Sequence, residues 1–573
     1  MTLSHRARAL AAAALCVPAA LAAQTGELPR THAPRPTQAA LSPADLMTRL
    51  YIIADDSMKG RAAGTPGNVM ATDYIAAEFR RFGLEPAGDN GTFFQTIPLV
   101  VKGLGPGATL SVDGANLRGG TDWAPLPAEL GTLRFADALS AGNGVQAVFG
   151  GRIGGETLAP AQTVGKLVVL LPPQNADGTV DYRIWRGATL PAYPQAAAVA
   201  VASLDATPAG TVAFFVEPQT ALKATSAAPA PRGPAGLLLS SAAAERVLGA
   251  PLASLRPGAA GKTVRGSFAF LEEPSPSPAR NVVGILRGRD PRLRNEYVVI
   301  GAHNDHEPNL DQAIDHDSVK AFNRVMRPRG ANDPVRTPTA EQWTRINALR
   351  DSLKRAHGGV ARMDSVMNGA DDDGSGTVVL MEIAEDLAGR RERPLRSILF
   401  VSHTAEELGL LGSEHFTDHP TVPRESIVAA LNMDMVGRGR AEEVPGGGPR
   451  YIQMIGSRRL STQLGDAIDS LNARRGAEKM DIDYSFDTPG HPLNRYCRSD
   501  HYNYARYGIP ITYFSLGYTT DYHQATDEPQ YIDYEHSARV GAFVRDIALT
   551  VANRPQRLVV DKPKPDLNAP CRQ

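Results

Sequence analysis

Cysteine is scarce, with three residues in a chain of 573, which excludes a disulfide-stapled framework. A surplus of either charge is also missing. With 60 Lys and Arg against 61 Asp and Glu, the chain offers neither a polyanion-binding surface nor an acidic disordered tail, and nucleic acid is not an expected partner. No apolar run approaches the ~20 residues needed to cross a bilayer, so no membrane span is expected. There is no internal repeat. What the chain does have is length and a globular composition: 42% hydrophobic residues over 573 positions call for two or three domains rather than one core.

The N-terminus carries Arg6 and Arg8 ahead of a short apolar run that ends at Ala20-Leu21-Ala22, the layout of a secretory signal peptide. Residues 1–22 are therefore expected to be removed and the protein exported, to a periplasm or the outside. The run is too short for a membrane anchor. Bulky Leu15 ahead of Cys16 argues against lipidation. Losing the two arginines leaves 58 basic against 61 acidic residues, a formal charge of −3. Cys497 and Cys571 remain, and an oxidising compartment would allow them to pair.

Residues 23–41, rich in Pro, Thr and Ala, read as a flexible leader. At Ser42-Pro43-Ala44-Asp45 a capping Ser, a Pro at the first helical position and an acid at the third predict a helix. A second is expected over 68–82, where Ile75, Phe79 and Phe82 share a face before Gly83. From 101 to 275 the texture becomes Gly-, Pro- and Ala-rich with short apolar runs, among them Leu167–Leu171 and Val212–Val216, which read as strands of a separate β-rich insert. After the Pro-rich stretch Pro274–Pro278, strand and helix signals alternate. Tyr297–Gly301, Ser397–Val401 and Ile511–Phe514 are continuous apolar runs of the kind buried in a sheet covered on both faces. The expected class is α/β, a mixed, mostly parallel sheet sandwiched by helices, in two parts, 42–100 and 276–555. Residues 556–573 lack apolar periodicity and read as a loose tail.

Five segments place a His or a carboxylate just after a strand or at a sharp turn. They are Gly301–His306, Gly369–Gly376, Thr404–Gly409, Asn432–Met435 and Asp521–His523. The carboxyl ends of strands in an α/β sheet are where ligands bind, so side chains distant in sequence can converge there. Imidazoles with several carboxylates suit zinc better than a thiolate metal or a calcium cage. Singly, each segment also reads as a solvated loop, a helix start or a capping turn.

Taken together and in this order, the segments resemble the M28 family of zinc peptidases, over about 42–100 and 280–550. Gly60-Arg61-Ala62-Ala63-Gly64-Thr65-Pro66-Gly67 is similar to the family's N-terminal segment, and 101–275 sits where a protease-associated domain would, with Gly165–Leu171 and Ala196–Asp205 resembling that domain's core. The resemblance implies a zinc-exopeptidase fold acting on peptides with two zinc ions per chain. His303 and Asp434 would hold one ion and Glu407 and His523 the other, with Asp372 bridging; Asp371 and Asp373 are its neighbours in the same acidic run. Glu406 would be the general base. Asp305 would accept from the second nitrogen of His303, and Tyr522 could donate to an oxyanion.

Two departures stand out. Residues 306–371 fill what is usually a short loop, and within them Thr339-Ala340-Glu341-Gln342 is a capping box followed by Trp343, Ile346, Leu349 and Leu353 at helical spacing. That helix would be either a surface decoration or a lid. Asn304 replaces an aromatic residue common after the first ligand. An aminopeptidase is the leading expectation. Arg438, Arg440, Arg495 and Arg498 would serve the alternative, a carboxypeptidase or dipeptidase that binds a substrate carboxylate. A glutaminyl cyclase-like acyltransferase with one zinc and a non-catalytic receptor-like module are the further rivals.

Overall fold

The computed structural model describes residues 27–126, 139, 144–174, 193–223, 234–267, 270–334, 336–567 and 569–573. The expected signal peptide lies outside the described residues. The chain divides into two compact units, one of 1–95 with 280–573 and one of 96–279.

The first unit is built on a nine-stranded sheet whose centre is parallel. Strand Tyr297–His303 pairs in parallel with Ser397–His403 on one side and Ile427–Met433 on the other, and Ile427–Met433 pairs in parallel with Ile511–Ser515. Antiparallel strands flank this centre, Ala279–Leu286 against Ser397–His403 and Tyr451–Ile455 against Ile511–Ser515. Every residue of the four central strands is buried. Period-two geometry then sends alternate side chains to opposite layers. Val298, Ile300, Phe400, Leu431 and Phe514 pack with helices Pro43–Ile53, Pro66–Arg81, Gly376–Gly389 and Tyr534–Ala552. Val299, Leu399, Val401, Ala430 and Tyr513 face Phe416, Tyr504 and Ala505 on the other side. The sheet is sandwiched, as its unbroken apolar strands require.

Local signals act where the sequence places them. Ser42 Oγ accepts from the Asp45 amide at 3.1 Å at the start of Pro43–Ile53. Helix Pro66–Arg81 buries Ile75 and Phe79 and ends at Gly83, whose φ of +76° needs a residue without a Cβ. Thr339 and Gln342 form the expected reciprocal cap of helix Ala340–Ala356, at 3.2 and 2.9 Å. Of its apolar stripe only Ile346 is buried, and Trp343 is 46% exposed.

Three readings differ from the sequence expectation. Residues 27–41 form no helix or strand but are tied down: the Leu28 amide donates to Gln530, and Thr37 Oγ1 donates to Glu385 at 2.9 Å beside the buried Arg49, which pairs with Glu78, Glu382 and Glu385. The C-terminal segment is likewise held, by a Cys497–Cys571 disulfide, by buried Leu558 and by Gln573, whose backbone amide donates to Asn494. In both, polar and covalent ties replace the periodic apolar pattern that sequence reading looks for. Val212–Val216, expected as a strand, belongs to helix Ala209–Val216. A five-residue apolar run carries no decisive period, and here Pro208 and Pro218 bound a short helix.

The second unit has an eight-stranded mixed sheet and a three-stranded antiparallel one. In the larger, Val145–Arg152, Leu167–Leu171, Ala198–Ala202 and Ala235–Leu239 run parallel around a core of Leu, Val and Ala.

His501 is fully buried, stacked on Tyr513 at 4.7 Å, and burial lowers its pKa to about 3. The unfolded chain takes up this proton near pH 6.5, whereas the fold refuses it until about 3. The contribution of a neutral His501 is thus complete above pH 6.5 and is lost as pH falls below it. Relative to His501→Phe, wild-type stability should fall by about 1.4 kcal/mol for each pH unit below 6.5. Urea unfolding of both proteins at pH 7.5 and 5.5 checks this, and a pH-independent difference would refute it.

Candidate metal centre

The parallel strands end on one edge of the sheet, and the chemistry-bearing residues are there. His303 is the last residue of its strand, Asp434 directly follows Met433, and Glu406 and Glu407 follow His403 by one short turn. Asp372 precedes helix Gly376–Gly389, and His523 lies beyond strand Ile511–Ser515.

The turns that aim these side chains are unusual. Ala405, Met435 and His523 all have positive φ, at 67°, 60° and 54°, in a region that costs an ordinary residue about 1 kcal/mol or more. Each adjoins or is one of the site residues. After this turn Glu406 approaches His303 and Glu407 approaches His523.

Asp372 is central. Its Oδ1 lies 3.3 Å from His303 Nε2 and its Oδ2 3.1 Å from His523 Nε2, so its two oxygens face opposite halves of the site. On the first half, His303 Nε2 is 3.8 Å from Asp434 Oδ1 and 3.9 Å from Glu406 Oε2. On the second, His523 Nε2 is 3.0 Å from Glu407 Oε2. Zinc ligands at 2.0–2.1 Å in tetrahedral array sit roughly 3.3 Å apart, which these separations approach. The buried atoms His303 Nε2, Asp372 Oδ2 and His523 Nε2 have no hydrogen-bond partner. Buried polar atoms without partners are costly, and a cation between them would satisfy all three. The residues therefore fit a divalent metal on each side of Asp372.

The acidic run is sorted by its hydrogen bonds. Asp371 Oδ1 accepts from the Gly437 amide at 2.7 Å. Asp373 accepts from the amides of His303, Gly376 and Met435 at 3.1, 2.8 and 3.1 Å. Both are occupied by backbone, whereas Asp372 presents its carboxylate to the imidazoles. Asp527, in turn, accepts from the amides of Asp371 and Asp372 at 3.0 Å.

Electrostatics follow from this crowding. Burial opposes charge on His303, yet Glu406, Asp305, Asp372 and Asp434 outweigh it and raise its pKa well above the ordinary value. Burial would raise Asp372, but His303 and His523 hold it well below the carboxylate range. Glu406, 9% exposed, is pushed well up by burial against the opposing pull of His303. A carboxylate so raised is suited to hold a proton in transit.

Asp305 works through its carbonyl as well as its carboxylate. The His303 Nδ1 lies nearer the Asp305 carbonyl, at 3.1 Å, than its carboxylate, at 3.7 Å. The carboxylate instead accepts from the amides of Glu406 and Glu407 at 3.1 and 3.4 Å, fixing the turn that carries them. Asn304 points into the protein, bonding Asn68, Ser402 and Thr404. Arg61, from the glycine-rich N-terminal segment, is buried and donates to the carbonyls of Ile53, Asn304, Asn368 and Gly369, tying both ends of the 306–371 segment. Within that segment, helix His316–Met326 buries Lys320 against Asp521 at 3.1 Å, two residues before His523.

Tyr522 stacks on His523 at 3.8 Å, and its hydroxyl accepts from Arg498 at 3.2 Å. Burial and the charges of Asp372 and Glu407 keep that hydroxyl protonated. Arg438 and Arg440 are engaged by Glu443, and Arg438 also by Asp521. Arg495 lies buried over the Tyr518 ring, 3.8 Å from its centre. Only Arg498, through Tyr522, reaches toward the centre. Sequence reading missed His306 and Glu307: His306 Nδ1 is 2.9 Å from Glu407 Oε1, and Glu307 Oε1 is 3.3 Å from His523 Nδ1. Their adjacency to His303-Asn304-Asp305 was the available signal.

Comparisons with known proteins bear on the same residues. Residues 336–548 match the profile of Peptidase family M28, a span that holds Asp372, Glu406, Glu407, Asp434 and His523 while His303 lies ahead of it. Aminopeptidase YwaD of Bacillus subtilis (strain 168) is 32% identical over 197 residues, 32% of this chain and 38% of that protein. A probable zinc metalloprotease of Pyrenophora teres f. teres is 26% identical over 201 residues, 33% of this chain and 41% of that protein. The matched region spans less than half the length of either relative. The solved aminopeptidase from Aneurinibacillus sp. strain AM-1 superposes with a TM-score of 0.45 at 15% identity, covering 92% of this chain and 98% of that one. The match to Peptidase family M28 thus covers 213 of the 573 residues.

Proposed function

We propose that the protein is an exported zinc-dependent exopeptidase that removes residues from the N-termini of peptides, holding two zinc ions through His303, Asp434, Glu407, His523 and the shared Asp372. The observation that carries this reading is the Asp372 carboxylate set between two imidazoles whose facing nitrogens are buried and unpartnered. The names of the relatives, an aminopeptidase and a zinc metalloprotease, agree with it. The second unit, β-rich and inserted between the two parts of the first, takes the place of a protease-associated domain in this reading.

When bound, the zinc ions would polarise the scissile carbonyl and lower the pKa of a water between them. The chain's own residues then divide the work. Glu406, buried beside His303, takes the proton from the attacking water and passes it to the leaving amine. Tyr522, kept protonated, donates a hydrogen bond to the carbonyl oxygen as charge develops there. Asp305 and Ala405 hold the Glu406-Glu407 turn so that the base and a ligand point to different partners. The arginines that would recognise a substrate carboxylate are mostly engaged in ion pairs or stacking, which favours the aminopeptidase over the carboxypeptidase.

Glu406→Gln should retain zinc and lose at least ~10²-fold in turnover; near-normal turnover with full metal would remove Glu406 from the role of base. Asp372→Ala should bind neither ion, because the carboxylate serves both. Zinc content by elemental analysis reads this, and two retained ions would show that the bridge lies elsewhere. Aminoacyl amides should be cleaved and N-blocked dipeptides spared; the reverse preference would move the assignment to a carboxypeptidase or dipeptidase.

A further inference from the structure

We infer that His306 and Glu307 are positioning residues for the second zinc ion, orienting its ligands Glu407 and His523; the inference rests on the two-zinc reading above. His306 is buried and its Nδ1 makes a 2.9 Å hydrogen bond to Glu407 Oε1. An ionised carboxylate only accepts, so the proton sits on Nδ1 of the imidazole. The Nε2 atom of His306 is buried without a partner, which an unprotonated nitrogen tolerates better than an N–H would. With Oε1 taken by His306, the other Glu407 oxygen faces His523 Nε2 at 3.0 Å. A Cβ on Gly369 would lie 2.4 Å from the imidazole, so the Gly369 backbone packs closely against one side of the ring.

Glu307 does the matching work for the other ligand. Its Oε1 lies 3.3 Å from His523 Nδ1, so an N–H on Nδ1 faces a carboxylate and Nε2 is left for the ion. The two imidazoles meet edge to face at 5.6 Å, which fixes their relative angle. On the first half of the site the same task falls to the Asp305 carbonyl, opposite His303 Nδ1. Direct coordination by His306 Nδ1 is the rival arrangement. His306 Nδ1 lies 3.9 Å from Asp372 Oδ2 and 2.9 Å from Glu407 Oε1, so the two arrangements are told apart by the variants below, which separate a hydrogen-bond donor from a ligand nitrogen.

The consequence is selective. Removing a group that orients a ligand costs about 10–100-fold in metal affinity, and here only the second ion should respond. The test is zinc bound per full-length chain, measured across a series of chelator-buffered zinc concentrations. Wild type should take up two ions. His306→Ala should weaken one of them by about 10–100-fold and leave the other unchanged. His306→Asn, whose amide N–H can reach the same Glu407 oxygen, should recover most of that loss. Glu307→Gln, at a part-exposed position, should weaken the same ion by about tenfold and decides the matter if His306→Ala does not fold.

Unchanged affinity for both ions in His306→Ala, or in Glu307→Gln where it stands alone, would overturn the inference. So would a His306→Asn variant as weak as Ala, which would make the imidazole nitrogen itself a ligand. A wild-type chain that binds one zinc or none would instead bring down the two-zinc reading, a failure visible before any variant is made.

Discussion

Mutual repulsion among buried carboxylates is the constraint around which this unit is organised. Asp305, Asp371, Asp372, Asp373, Glu406, Asp434, Asp500 and Asp527 are all buried near one edge of the sheet. Two like charges 4 Å apart at an effective dielectric near 20 repel by about 4 kcal/mol, so such a group cannot be assembled without compensation. Burial does raise several of these acids, Asp500 to about 7 and Asp527 to about 6. Protonation alone, however, would leave no anionic ligands for a cation.

The compensation is divided by residue. Asp371, Asp373, Asp305 and Asp527 are matched to backbone amides, which are strong fixed donors. Each of these bonds also ties one loop of the site to another. Asp373 joins the end of the His303 strand to the turn after Asp434, and Asp527 joins the segment after His523 to Asp372. Of the others, Asp372 and Asp434, together with Glu407, face the imidazoles, while burial raises Glu406 and Asp500. Carboxylates held by amides and carboxylates facing imidazoles are therefore neighbours of the same chemical type, told apart only by their partners.

That division explains how much could be read from the sequence. The strands were legible because they are unbroken apolar runs, and the helices at Pro43, Pro66 and Ala340 because caps and prolines mark them. His303, Asp372, Glu407, Asp434 and His523 were legible by resemblance and meet at one edge. The structural acids were not separable in advance: nothing local distinguishes Asp373, which accepts three amides, from Asp372, which accepts none of them. Asp305 accepts from His303 through its carbonyl, and sequence alone gave no sign that its carboxylate would also hold the Glu406-Glu407 turn. The tied leader and tail escaped because charge networks and a disulfide leave no periodic trace.

The long segment 306–371 is compatible with a precise centre for a physical reason. An insertion between two site residues is harmless only if both of its ends are fixed by groups outside it. Here Arg61 donates to Asn304 at one end and to Asn368 and Gly369 at the other, so a single guanidinium from the N-terminal segment closes the loop at its base. With the ends held, the segment's interior is free to add contacts without moving His303 or Asp372. Lys320 is such a contact, buried against Asp521, which also accepts from Thr526 and Arg438 and so braces the turn that delivers His523. What begins as an interruption between His303 and Asp372 thus becomes a support for His523.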